Sequence, residues 1–163
     1  MDQGKLDFIT KTFVPEVEGL SAEAMGKWGK MNAQQMAEHL TTIFNNSSGK
    51  MVLPILSPPE HLEKLMAFLY SDKEFRENTK APETIFPAEP LPEVNSTMAE
   101  SVAALQQSVN DFTAYFSANP GAKTTHPVFG ELNYEEWVLL HYKHVTHHLR
   151  QFGWGPGVEN SSA

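Results

Sequence analysis

Four times along this 163-residue chain a Ser, Thr or Asn is followed three residues later by Glu or Gln and then by apolar residues at helical spacing. The pairs are Asn32 with Gln35, Ser57 with Glu60, Thr97 with Glu100 and Asn133 with Glu136, and Pro58 follows Ser57 directly. Such a pair satisfies two orphan backbone donors reciprocally, and Asn is a strong N-cap in its own right, so each pair predicts a helix N-terminus. Met36, Leu40, Ile43 and Phe44 follow the first cap, and Val102, Leu105, Val109, Phe112 and Phe116 the third, each set forming one apolar face. Leu62, Leu65, Met66 and Leu69 predict a shorter helix between the longer ones. With an amphipathic segment near residues 4–14, five helical pieces result. No stretch alternates apolar and polar residues with hairpin turn chemistry, so an all-α fold is expected.

A chain of this length buries roughly 68–70% of its unfolded surface around one core, which predicts a single domain over 1–155 with a flexible tail at 156–163. Twelve Lys and Arg against twenty Asp and Glu give a net charge of −8. That balance opposes attraction to nucleic-acid phosphates or anionic lipid, so neither a nucleic acid nor a membrane is an expected partner. The N-terminus lacks a basic, apolar and small-residue leader pattern, and no apolar run approaches about 18 residues; the expected location is cytoplasmic. With no cysteine, covalent or metal chemistry must come from His, carboxylate, Ser or Thr.

Pro and Gly mark the connections "NNSSGKMVLPILSPP", "NTKAPETIFPAEPLPEVNS" and "NPGAKTTHPVFGELN". "PAEP" has PxxP spacing but no basic neighbours and reads as loop, and "SSGK" lacks the rest of a phosphate-binding loop.

The last helical segment contains "HYKHVTHHLRQF" at 141–152. At about 100° per residue, Leu140, His141, His144, His148 and Phe152 fall within about 60° of Trp137, whereas His147 lies about 80° to one side. An appended tag would show no such phase. A lone histidine on an apolar face is ordinarily a hydrogen-bonded core residue, but several packed together need partners for every ring nitrogen and cannot charge cheaply. Neutral imidazoles converging on a divalent cation resolve this directly.

His144 and His148, four apart, stack one turn above the other and can reach one ion at about 2.0–2.1 Å. His141 and His148 are separated by about 10.5 Å along the axis and make a poor pair. His39 in "MNAQQMAEHL" lies on its own helix's apolar face, three after Met36 and four before Ile43, and supplies the third ligand if the two helices pack together. Three neutral histidines leave a coordination position open for water or substrate, as catalytic rather than structural sites do. Imidazole suits several divalent ions, with zinc or nickel foremost here. His141 is the candidate for a ligand-supporting donor or proton carrier, with core packing as its competing role. His126 reads as a loop anchor or an outlying site residue, and His61 as solvated.

Three stretches in order, "WGKMNAQQMAEHL" at 28–40, "HPVFGELNYEEW" at 126–137 and "HYKHVTHHLRQF" at 141–152, resemble the DinB/YfiT-like superfamily, and more closely one of its bacterial branches of unknown function. The resemblance spans Trp28 to Phe152. It implies a four-helix bundle, with an additional short helix and long Pro-rich loops, holding a three-histidine divalent metal site. The single ligand falls on His39 and the HxxxH pair on His144 and His148. Members include metal-dependent thiol transferases, a thiol-dependent maleylpyruvate isomerase and proteins labelled as hydrolases.

Two mechanisms follow. A small-molecule substrate such as a low-molecular-weight thiol loses its proton at the metal and attacks an electrophilic carbon, which suits a chain without cysteine. Alternatively, an acidified water hydrolyses an ester or amide, with His141 as general base and Glu38 as a weaker candidate. Gln35 and Gln151 are candidate lining residues, Arg150 a surface one, and the 79–95 and "TTHPVFG" loops candidate walls of the mouth. The competing reading is non-catalytic: a metal-binding or stress-associated helical bundle, or a homodimer whose histidines are structural.

Overall fold

The computed structural model describes residues 1–155, so the expected tail at 156–163 lies outside the described residues. The chain is mostly helical, with one small two-stranded sheet. Helix α1 (Gln3–Asp7), a π-helical turn (Phe8–Thr12) and α2 (Phe13–Glu18) run on as one rod over 3–18, longer than the segment near 4–14 that periodicity predicts. Pro15 explains the wide turn, because it cannot donate to the Lys11 carbonyl and its ring crowds that oxygen. The Phe13 N–H reaches back to the Phe8 carbonyl instead, and the rod continues past the proline.

Helix α3 (Ala33–Ser47) and helix α6 (Tyr134–Gln151) start at complete capping boxes. The side chains of Asn32 and Asn133 accept from the N–H groups of Gln35 and Glu136, and those two side chains reach back to the cap N–H. Helix α5 (Met98–Ala118) starts at Thr97, whose hydroxyl accepts from Glu100 N–H at 3.2 Å, while the Glu100 carboxylate reaches one residue further back, to Ser96 N–H.

The fourth cap is a correction. Ser57 makes no side-chain cap; Pro58 is extended (ψ 140°), a 3₁₀ turn spans Pro59–His61, and α4 (Leu62–Tyr70) begins only after it. A residue preceding proline is driven out of the helical region, so Pro59 keeps Pro58 extended and delays the helix.

The sheet departs from the all-α expectation. Strands β1 (Thr124–His126) and β2 (Gly130–Leu132) pair antiparallel, with Thr124 opposite Leu132 and His126 opposite Gly130. Three residues per strand are too few to show a period of two. Gly130 has φ of 80°, a left-handed conformation that glycine reaches without steric cost.

Helix α3 packs along α5, the N-terminal rod lies against α5 and α6, α4 packs on α6, and β1 docks on α3. Their apolar faces meet in one cluster containing Phe13, Met36, Leu40, Phe44, Leu105, Phe112, Trp137 and Leu149. Phe44 stacks on Phe13 at 6.0 Å and meets Phe112 edge-on at 5.8 Å. The Trp137 indole N–H donates to the Thr124 hydroxyl at 2.7 Å, and Thr124 donates to the Ser47 carbonyl, tying the hairpin to α3 and α6. Among the described residues, no helix is long and apolar enough to cross a membrane.

Asn133→Ala removes the side-chain half of its capping box, leaving the Glu136 carboxylate on the backbone N–H of residue 133, and lowers stability by about 1 kcal/mol. Ser57→Ala removes no cap and shifts it by less than about 0.5 kcal/mol. Denaturant unfolding of the two variants beside the parent checks the contrast.

Candidate metal centre

His39 occupies the middle of α3, and His144 and His148 occupy successive turns of α6, so the packing of these two helices decides whether the three meet. They do. His39 Nε2 lies 3.1 Å from His144 Nε2, and His148 Nε2 lies 3.0 Å from the same atom. One ligand atom from each of the three residues falls within 4.8 Å of the others, so the group could hold a metal ion. Nitrogens at about 2.05 Å from a tetrahedral ion stand about 3.3 Å apart, close to the two short separations.

The protonation pattern suits the same role. His148 Nδ1 meets Gln151 Oε1 at 2.8 Å, and the Gln151 amide nitrogen donates to the Trp28 carbonyl at 2.8 Å. Because that donation fixes which end of the amide is oxygen, His148 must carry its proton on Nδ1, leaving a bare lone pair on Nε2 facing the cluster. His144 then contributes the proton between the three Nε2 atoms, shared toward two lone pairs. A cation replaces one proton with bonds to three donors.

The loop before α3 makes this support possible. Lys27 N–H donates to the Gln151 carbonyl at 2.7 Å, which draws the loop backbone against the end of α6. A Cβ on Gly29 would stand 2.7 Å from Gln151 Nε2, and one on Gly26 would stand 2.6 Å from Gln151 Cγ. Gly29 also has φ of 75°. These glycines, and the carbonyl of Trp28, belong to the site although nothing in their spacing marks them.

Burial, then repulsion from neighbouring imidazoles, holds the His39 pKa down at about 4 and those of His144 and His148 well below the ordinary range. All three are therefore neutral near pH 7, the form that binds metal.

The other candidates are placed differently. His141 is fully buried, stacked on Phe44 at 3.8 Å, with its Nε2 2.9 Å from the Ser47 hydroxyl. The Ser47 hydroxyl donates to the Phe44 carbonyl, so it accepts from His141. The structure does not bring His141 into the cluster, and the general-base role has no geometric support.

Glu38 accepts from Val94 N–H, Asn95 N–H and the Ser101 hydroxyl. Burial opposes its charge, but these bonds prevail and lower its pKa. Gln35 is committed to the α3 cap and the Leu91 carbonyl. Arg150 is partly exposed and pairs with Glu74 at 3.5 Å, and His61 is exposed.

His147, assigned by helical phase to a flank, is buried instead, packed against Trp28 at 5.4 Å and Phe75 at 5.8 Å. Loops, not the helix pair, supply that cover, so phase on one helix could not reveal it. The 79–95 segment does reach the cluster: Phe86 meets His39 edge-on at 5.0 Å. The "TTHPVFG" loop does not wall it. Phe129 touches Phe75, which in turn faces His144.

Fold and site together define a mostly helical protein whose three-histidine cluster could hold a metal ion. The chain belongs to the family described as a protein of unknown function (DUF1569), whose model matches residues 3–153. No curated protein and no solved structure matched the chain.

Gln151→Ala and Gly29→Ala each release His148 from its fixed orientation and lower divalent-metal affinity by about 10–100-fold, read by competition against a chromophoric chelator. Unchanged affinity in both would separate the Gln151 contact from the site.

His126 provides a separate pH dependence. It is a loop anchor: its Nδ1 accepts from Val128 and Phe129 N–H at 3.0 and 3.3 Å, and burial lowers its pKa to about 3. The folded value lies below the unfolded value of about 6.5, so the contribution is complete above that pH and is lost as pH falls toward the folded value. Between about pH 7 and pH 4 the parent should therefore lose more stability than His126→Asn, and parallel curves would remove His126 from the acid sensitivity.

Proposed function

We propose that the chain is a divalent-metal enzyme acting on small molecules, built as a four-helix bundle of the DinB/YfiT-like kind from the 3–18 rod, α3, α5 and α6. The observation that carries this reading is the convergence of His39, His144 and His148 through their Nε2 atoms, with the His148 lone pair aimed by Gln151. A bound divalent ion, zinc or nickel foremost, supplies the positive charge that favours loss of a proton from a thiol or a water. His39, His144 and His148 hold the ion, Gln151 orients one of them, and Phe75 and Phe86 exclude water on the sides they cover.

Of the two chemistries, thiol transfer is favoured. Hydrolysis needs a protein base at the ion, and neither candidate stands free there: His141 is stacked with Phe44 and Trp137 outside the cluster, and Glu38 is held by the backbone of 94–95. In thiol transfer the nucleophile enters with the substrate. A carbon–sulfur bond forms, the bond from that carbon to the leaving group breaks, and the thiol proton passes to solvent or leaving group.

Untagged protein dialysed against Zn²⁺ or Ni²⁺ should carry about one ion per chain by elemental analysis, and His144→Ala should carry almost none. Stoichiometry near zero in the parent would end the metal reading. Loaded protein assayed with low-molecular-weight thiols and model electrophiles, beside a panel of esters and amides, should turn over the former. Turnover of esters alone would favour hydrolysis. Loss of the fold on metal removal, with no turnover of either panel, would favour a structural metal site.

A further inference from the structure

One arm of the 79–95 segment is fixed to the helix that carries His39. Glu38, the residue before that histidine, accepts from Val94 N–H at 2.8 Å, Asn95 N–H at 3.1 Å and the Ser101 hydroxyl at 2.9 Å. Gln34 donates to the Asn95 carbonyl at 2.8 Å, Gln35 to the Leu91 carbonyl at 3.0 Å, and Asn32 to the Glu93 carboxylate at 2.8 Å. Lys30 pairs with Glu89. Five side chains from one end of α3 and its approach thus hold residues 89–95.

The other arm is held differently. Ile85 and Phe86 N–H donate to the Pro82 carbonyl at 3.0 and 2.9 Å, bonds internal to the segment that survive if it moves as a unit. Pro82 and Pro87 flank this turn and restrict its internal freedom. At its tip the half-buried Phe86 ring stands against His39. Displacing that tip requires loss of Phe86's own packing and leaves the Glu38 bonds in place, the arrangement of a segment with low local stability beside an anchored one.

What faces the cluster also restricts what can replace Phe86. Phe75 stands 6.5 Å from His144, and His147 stands 5.1 Å from His148. Glu38 is turned to the backbone at 94–95. Arg150, which pairs with Glu74 through Nη1 and keeps Nη2 buried without a hydrogen-bond partner, bears on His147 and not on His39. We infer that Phe86 is a displaceable cover on the His39 side of the cluster, and that the substrate of this site carries an uncharged, aromatic-sized group that takes the place of the Phe86 ring. The second half of this inference rests on the metal-enzyme reading; the cover itself does not.

The test therefore has two arms. In the first, metal-free parent, Phe86→Ala and Phe86→Leu, each checked for an unchanged far-ultraviolet circular dichroism spectrum, are treated with diethylpyrocarbonate, and modification of His39 is followed by peptide mass spectrometry. His39 should react at least about tenfold faster in Phe86→Ala, with Phe86→Leu nearer the parent. Equal rates in the three proteins would overturn the cover, whether or not the site binds metal. Exposed His61 supplies the internal control, its rate constant across all three.

In the second arm, Co²⁺-loaded parent is titrated with benzyl mercaptan or mercaptoacetate and followed by visible absorption. Benzyl mercaptan should half-saturate the change at a concentration at least about tenfold lower, as a place vacated by the Phe86 ring, on a cluster that Phe75 also borders, prefers the uncharged ring. Equal or reversed preference would overturn the substrate class. If Co²⁺ does not bind, the metal reading and the substrate class fail together, and the first arm still decides the cover.

Discussion

Three imidazoles, two of them with Nε2 atoms 3.0–3.1 Å from that of the third, can share an interior only while uncharged, and much of the structure around them serves that condition. Burial and mutual repulsion push their pKa values down, so near neutrality the cluster offers lone pairs instead of positive charges. The one proton that His144 contributes is shared toward two of those lone pairs. A cation in the middle would take up the lone pairs of all three, and the group that helices α3 and α6 bring together could hold a metal ion.

Orientation depends on a second chain of contacts. The Trp28 carbonyl orients the Gln151 amide, Gln151 orients His148, and Gly26 and Gly29 let the loop approach closely enough for this to happen. A loop nearly 120 residues away in sequence thus sets the tautomer of a residue on the last helix. On the other side, Glu38 fixes the Pro-rich segment to α3 one residue from His39, so the helix that carries a cluster histidine also carries the latch of its cover.

The remaining histidines show how one residue type is put to different uses. His141 is a core residue that stacks on Phe44 and satisfies Ser47; His126 organises a hairpin turn through two backbone N–H groups; His147 packs under Trp28 and Phe75. Helical phase separates His144 and His148 from His147 on one helix, but it treats His141 as their equal because it shares their face. The distinction is axial. His141 lies a turn nearer the hairpin, where the neighbours are Phe44, Phe112 and Trp137.

Local chemistry determined what was legible from the sequence alone. Asn32, Thr97 and Asn133 cap helices because their side chains reach their own following N–H groups, a contact closed within four residues. Spacings of three, four and seven likewise place apolar faces, and the His144–His148 pair, without knowledge of any partner. The failures have the same origin. Ser57 lost its cap to the Pro58–Pro59 sequence beside it, and strands of three residues hold too little pattern to detect. Only the tertiary structure could decide that His39 meets His144, that Gln151 is held by Trp28, that His147 is covered and that Phe86 lies on the cluster. Each of these is a contact between distant segments, and its energy depends on how helices and loops pack, which no local spacing encodes.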